Sequence, residues 1–137
     1  MVSKYFKIHE LVPKKMFEKY GESAWRYVDR GMIQDIDHLK EVFPKGTMTI
    51  NSYHWNGDRE WSGIRTPESP YYSYGSQHSY ANAFDAVFSD YEAEVVRMYI
   101  LNNQDEFVWI TRLEYGVSWI HADGANTPHD EITTFKG

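Results

Sequence analysis

Near the middle of the chain, a histidine and an aspartate lie seven residues apart, at His78 and Asp85. Residues 82–88 are mostly apolar and predict a buried strand, on which Asp85 shares a face with Ala83 and Val87. A carboxylate on such a face needs a cation or several hydrogen-bond donors. Taken alone, the pair fits a hydrogen bond that pins the loop better than it fits a metal site.

A second group with chemical potential is Trp119-Ile120-His121-Ala122-Asp123. A strand here places Trp119, His121 and Asp123 on one face. Two imidazoles and one carboxylate, with water in the fourth position, make a common catalytic zinc site. Asp123 could then orient an imidazole or handle protons for the bound water. The periodicity fits a core histidine beside a tryptophan equally well.

Arg65 lies in a third group, Gly63-Ile64-Arg65-Thr66-Pro67-Glu68. An arginine in a proline-stiffened turn is suited to binding a carboxylate or a polarised carbonyl. Most arginines only solvate a surface, and the turn by itself favours that simpler interpretation.

The elements that must position these groups indicate an α+β fold with N-terminal helices and an antiparallel sheet. Apolar residues recur at helical spacing over 11–43, and alternation predicts a strand over 47–53. Residues 55–77 are rich in glycine, proline and serine and predict a long loop, whose aromatic residues favour an ordered, packed conformation.

The second half of the chain continues with a strand over 82–88 and an amphipathic helix over 90–103, with Asp90 as its cap. Two further strands are expected over 107–112 and 117–121. Residues 129–131 (His-Asp-Glu) are expected in a solvated tail. At 137 residues, the chain is the size of a single domain, 1–137.

Composition excludes several classes of function. The net charge is -6 and no stripe of Lys and Arg occurs, so we expect no nucleic-acid partner. No apolar run reaches the roughly 18 residues that span a bilayer, and no secretory signal is recognised at the N-terminus. We therefore expect synthesis in a cytoplasm and no membrane partner. The absence of cysteine excludes thiolate metal sites.

In their order along the chain, the three groups resemble the D-Ala-D-Ala carboxypeptidase family of zinc peptidases, which includes phage endopeptidase lysins. The opening residues 4–11 and the strand at 49–52 add to the resemblance, which is closest to small phage-encoded members. The motifs that carry it are Arg65-Thr66-Pro67-Glu68, Ser76-x-His78-x6-Asp85 with Ala83, and Ile120-His121-x-Asp123.

The resemblance implies a hedgehog/D-Ala-D-Ala peptidase-like fold and a Zn²⁺ ion bound by His78, Asp85 and His121. It implies that Arg65 binds the substrate carboxylate or stabilises the oxyanion. The implied reaction is hydrolysis of a peptide bond in the stem peptide of peptidoglycan. We expect the substrate-binding residues to be Arg65, Ser76, His54 and Trp119.

The chain departs from the family pattern at several positions. Ala81 replaces a preferred glycine, a mild change if its φ is negative. Ser118 stands where several branches carry a catalytic acid, so we expect Glu114, or else Asp123, to act as the base. The insertion at 53–62 carries His54 and could form a wall of the substrate groove, although a packed surface loop fits it equally well.

Two functions follow from these features. The first is a peptidoglycan hydrolase, either a bacteriophage endolysin or a virion-associated enzyme that acts at the bacterial cell wall. The second is a non-catalytic zinc-binding structural protein on the same scaffold, which would contact other virion proteins. Ser118 favours the second.

Overall fold

A computed structural model of the protein describes residues 2–137. This part of the chain contains three α-helices and five strands. The helices are α1 (Lys14–Tyr20), α2 (Arg30–Val42) and α3 (Ala93–Asn102), and the strands are β1 (Met48–Thr49), β2 (Ala83–Phe88), β3 (Arg112–Tyr115), β4 (Ile120–Asp123) and β5 (Thr133–Lys136). The expected α+β class is confirmed.

The sheet has the strand order β1-β2-β4-β3-β5. The first three pairs are antiparallel, but β5 runs parallel to β3. The sheet is therefore mixed, and the prediction of an antiparallel sheet is wrong at this edge. Residues 129–131 are exposed as expected, but they lie in a loop before β5 and not in a tail. The strand β5 was not predicted from the sequence, because its four residues are too short a pattern to indicate a strand.

Two predicted strands are displaced because buried side chains occupy their backbone groups. Asp35 accepts hydrogen bonds from the amides of residues 108–110, so the predicted strand at 107–112 begins only at Arg112. Arg97 donates to the carbonyls of Val117 and Trp119, each at 3.1 Å, and the next strand begins at Ile120. A backbone group used in this way cannot join a sheet ladder.

The predicted strand over 47–53 is reduced to β1 because backbone groups from other parts of the chain, not side chains, bind its later residues. The amide of Asn51 donates to the carbonyl of Glu10, and the amide of Ser52 donates to the carbonyl of Arg59. Residues 51 and 52 thus form isolated hydrogen bonds with other segments instead of continuing the ladder between β1 and β2.

The N-terminal helical region is confirmed, as α1, a 3₁₀ helix (Gly21–Tyr27) and α2. Asp29 caps α2 by accepting from the amides of Gly31 and Met32. Asp90 does not cap α3. The N-cap residue is Glu92, whose side chain makes no capping hydrogen bond, and Asp90 instead accepts a hydrogen bond from Ser89.

The two faces of the sheet have different roles. On β2, Phe84, Ala86 and Phe88 point into the hydrophobic core, and on β4 the core residues are Ile120 and Ala122. The alternate residues of both strands point to the opposite face. That second face carries Asp85, His121 and Asp123. The long loop lies next to Asp85, where the carbonyl of Ser62 accepts a hydrogen bond from the amide of Asp85 at 2.7 Å.

The long loop between residues 56 and 76 contains no helix or strand, as expected. The expectation that the aromatic residues of the predicted loop over 55–77 are packed is wrong at four of the five, and only Trp61 is partly buried. Trp55 is 58% exposed and Tyr72 is 38% exposed. Tyr71 is 65% exposed and Tyr74 is 84% exposed.

Candidate metal centre

The register of the central strand pair brings the first two ligand candidates together. Asp85 on β2 lies directly opposite His121 on β4. Facing residues of an antiparallel pair have side chains on the same side of the sheet, about 5 Å apart at Cβ. His121 Nδ1 lies 2.8 Å from Asp85 Oδ1.

His78 reaches the same point from the loop. It belongs to a short 3₁₀ helix (Gln77–Tyr80), and its carbonyl accepts the amide of Arg65 at 3.1 Å. Its Nε2 lies 3.4 Å from Asp85 Oδ1. The chain leaves this helix through Ala81, whose φ is 58°, so the expectation of a harmless replacement of glycine is not met. An L-residue in this conformation costs about 1–2 kcal/mol.

One nitrogen of each imidazole is held by an acceptor, and the other faces Asp85. His78 Nδ1 lies 2.9 Å from the carbonyl of Gly63, which can only accept, so Nδ1 carries the proton. His78 Nε2 is then a free lone pair, buried and without a hydrogen-bond partner among residues 2–137. His121 Nε2 lies 3.0 Å from Asp123 Oδ2. Metal-binding histidines are commonly held in this way.

The distances between the three groups suit a metal ion. One atom from each of His78, Asp85 and His121 lies within 4.8 Å of the others. Tetrahedral ligands at about 2.05 Å from zinc are about 3.3 Å apart. The 3.4 Å contact of His78 already has this spacing, and the 2.8 Å contact of His121 needs to open by roughly half an ångström. The group could therefore hold a metal ion.

The charges at this group are strongly coupled. Burial opposes protonation of His121, but its hydrogen bonds to Asp123 and Asp85 outweigh burial and raise its pKa to about 9. Burial likewise opposes ionisation of Asp85, but the hydrogen bond from His121 and the proximity of the His78 imidazole hold its pKa well below the usual range. Without a metal, the site thus stores a proton on His121 between two carboxylates.

Asp123 is fully buried and orients His121. Both of its oxygens are bound by Arg112, at 2.8 Å each, and it also accepts from His121 and from the amide of Ala125. Sequence reasoning offered either orientation or proton handling for Asp123; this geometry fits orientation. The sequence did not point to Arg112. The correct strand register would have done so, because it places Arg112 on β3 directly opposite Asp123 on β4.

Arg65 lies beside the metal group. Its Nε donates to the carbonyl of Trp61 at 2.8 Å, and one terminal nitrogen lies 3.5 Å from Asp85 Oδ2. Burial lowers the pKa of Arg65, and the nearby Asp85 opposes that change. The guanidinium is therefore fixed at the edge of the site.

Two cavities flank the metal group and share Arg65, Asp85 and Trp119. One, of about 320 Å³, is lined by all three ligand candidates together with Ser76 and Glu114. The other, of about 340 Å³, contains Trp61 and Tyr71. The structure thus brings Arg65, Ser76, Trp119 and Glu114 to the site.

Two residues singled out in the sequence lie elsewhere. His54 lines neither cavity and instead stacks on His9, with ring centroids 3.9 Å apart. The structure does not bring it to the metal group. Ser118, at the position where the resemblance would place an acid, is exposed and also lines neither cavity.

Comparisons of the chain with protein-family models, with curated proteins and with solved structures gave no significant match. Across residues 2–137, none of the helices has the length and apolar character needed to cross a bilayer.

Proposed function

We propose that this protein is a zinc-dependent peptidase of the D-Ala-D-Ala carboxypeptidase type, which hydrolyses peptide bonds in peptidoglycan stem peptides. The observation that carries the proposal is the convergence of His78, Asp85 and His121 at the edge of a cavity. Asp85 and His121 come from paired strands, and His78 comes from a loop 43 residues before His121 in sequence. The same three residues are the zinc ligands implied by the family motifs.

The donor set favours a transition metal over calcium and magnesium, and the family resemblance selects zinc among the transition metals. Two imidazole nitrogens and one carboxylate oxygen form an open site of the kind found in zinc hydrolases. Calcium and magnesium prefer sites made of oxygen ligands. When bound, zinc polarises the scissile carbonyl and acidifies a water molecule.

The surrounding residues take complementary roles. Arg65, held by the carbonyl of Trp61, binds the substrate carboxylate or stabilises negative charge on the carbonyl oxygen. Asp123 is occupied by Arg112 and His121, so it keeps the imidazole oriented. Glu114 lines the cavity and makes no ion pair among residues 2–137, which leaves its carboxylate available as the proton acceptor.

A non-catalytic zinc-binding protein, for example a virion component, is the second candidate. It is favoured by Ser118, which is exposed and lines neither cavity, so that no acid acts from the position implied by the resemblance. In the peptidase, by contrast, Glu114 supplies the base, and the protein reaches the cell wall as a phage lysin or in a virion.

The two functions are separated by incubating the zinc-loaded protein with purified peptidoglycan and with a synthetic stem peptide. The peptidase releases new amino groups from both, and Glu114→Gln lowers the rate about a hundredfold to ten-thousandfold without changing the zinc content. Glu131→Gln, in the exposed loop before β5, is the matched control and keeps full activity. One bound zinc without any new amino groups would overturn the peptidase and support the second candidate.

A further inference from the structure

Beside the metal group, the chain presents an uncharged, tyrosine-rich segment, residues 69–80, called here the tyrosine segment. It contains four tyrosines and four serines, and no Asp, Glu, Lys or Arg occurs between Glu68 and Asp85. All four tyrosines are exposed: Tyr71 65%, Tyr72 38%, Tyr74 84% and Tyr80 57%. Clusters of exposed aromatic rings of this kind mark binding surfaces.

The serines of this segment hold its backbone in place. Ser79 Oγ donates to the carbonyl of Ser73 at 2.7 Å, and Ser69 Oγ accepts the amide of Tyr71 at 3.0 Å. Backbone turns add hydrogen bonds from Tyr72 to Ser69 and from Ser76 to Ser73. Ordering of this kind reduces the entropy lost when a ligand binds.

The tyrosine hydroxyls, in contrast, have no partner within residues 2–137. Three other tyrosines of the chain, Tyr53, Tyr91 and Tyr99, use this group internally. Tyr53 donates to the carbonyl of Val12 at 3.0 Å, and Tyr99 donates to Glu106. The tyrosine segment therefore offers both ring faces and free hydroxyls to the outside.

The segment is continuous with the proposed catalytic site. Gly75, Ser76 and Gln77 line the cavity that contains the metal group, and Tyr71 lines the neighbouring cavity. The Tyr71 ring also lies 5.8 Å from the Arg65 guanidinium. A polymer that carries a peptide into the metal site would lie across this segment.

We propose that the tyrosine segment binds the glycan strand of the polymer whose peptide enters the metal site. The choice of polymer rests on the proposed function. Sugar rings stack their C–H faces on aromatic rings and exchange hydrogen bonds through their hydroxyls. Amide linkage of the peptide removes the carboxylate of the sugar that carries it, so the strand is uncharged there, which matches a surface without charged side chains.

A neutral partner is also what the whole protein permits. With a net charge of -6, it has no general attraction to anionic polymers. Affinity for the wall therefore has to come from local, uncharged contacts, and the tyrosine segment supplies rings and hydroxyls beside the site.

The test is titration of the metal-free protein, in the presence of a chelator, with the β-1,4-linked tetramer of N-acetylglucosamine, followed by amide chemical shifts. We expect shifts concentrated in residues 69–80, and about a tenfold or greater loss of affinity for the triple variant Tyr71→Ala/Tyr74→Ala/Tyr80→Ala. Tyr5→Ala, at a similarly exposed tyrosine outside both site cavities, keeps the affinity.

Because Tyr74 is 84% exposed, the single variant Tyr74→Ala folds normally and still shows weaker binding. Unchanged binding by both tyrosine variants, or no binding of the tetramer by the unsubstituted protein, would overturn the inference. The measurement needs neither zinc nor catalysis. Binding of the tetramer by a protein that cuts no peptide would therefore refute the proposed peptidase function and still support this binding site.

Discussion

Two buried aspartates, Asp35 and Asp85, show how the same side chain serves structure in one place and chemistry in another. Asp35 on α2 is fully buried and accepts hydrogen bonds from three consecutive backbone amides, each at 2.9 Å. Asp85 on β2 faces the side chains of His78, His121 and Arg65, and its own side chain is 14% exposed at a cavity.

The partners explain the difference. Backbone amides are permanent donors and cannot be exchanged for a metal ion, so Asp35 joins α2 to the chain that leads into β3. Burial raises the pKa of Asp35 despite these amides, whereas the hydrogen bond from His121, together with the nearby His78 imidazole, holds the pKa of Asp85 low. Imidazoles can exchange a proton for a metal ion, and a carboxylate that stays ionised beside them is ready to bind one.

The largest effect is expected when Asp85 is replaced by asparagine. Zinc binding by four ligands is worth about 10–16 kcal/mol, so losing one ligand lowers the affinity roughly a hundredfold to a thousandfold. Hydrolysis of a stem peptide should disappear with it. Competition with a chromophoric chelator measures the affinity, and tight zinc binding by Asp85→Asn would contradict the assignment.

Asp35→Ala tests the other half of the comparison. Three backbone amides lose their acceptor in a buried place, so the free energy of unfolding falls by at least about 3 kcal/mol. Urea unfolding measures the loss. The folded fraction keeps its zinc affinity, because Asp35 is no part of the metal group; a specific loss of zinc binding would show that the two aspartates are not independent.

Asp123→Asn sharpens the comparison at a third carboxylate, which acts through its neighbour. The loss of its charge weakens the hydrogen bond to His121 Nε2, and removing the partner that orients a metal-binding histidine costs about 10- to 100-fold in metal affinity. Asp130→Asn, in the exposed loop before β5, is the control. A zinc affinity within twofold of the unsubstituted protein would remove the orienting role of Asp123.

The smallest expected effect is the release of a proton when zinc binds. Below its pKa of about 9, His121 carries protons on both nitrogens, and zinc must displace the one on Nδ1. Zinc binding at pH 7.5 should therefore release about one proton per chain, and the apparent affinity should fall as the pH is lowered. Calorimetry in two buffers with different ionisation enthalpies detects this release, and heats that do not depend on the buffer would contradict it.

How far the sequence predicts this molecule depends on the range of the interactions. The apolar run around Asp85 and the helical spacing over 11–43 are local patterns, and both elements are found. The strands at 107–112 and 117–121 were misplaced because distant side chains hold those backbone segments. Asp35 is 73 to 75 residues away from the amides that it binds, and Arg97 is 20 to 22 residues away from the two carbonyls. No local pattern carries that information.

The metal group shows the same division. The family resemblance selected His78, Asp85 and His121, which the structure brings together. It did not show that Arg112 anchors Asp123 or that Gly63 holds His78. Both contacts depend on tertiary placement. His54 shows the opposite error, since a histidine in a promising insertion packs against His9 instead.

The most direct test of the metal centre is a crystal structure of the protein with one equivalent of zinc, with anomalous data at the zinc edge. We expect one strong peak about 2.0–2.2 Å from His78 Nε2, His121 Nδ1 and an oxygen of Asp85. A peak at other residues, or none in well-ordered crystals, would contradict the account.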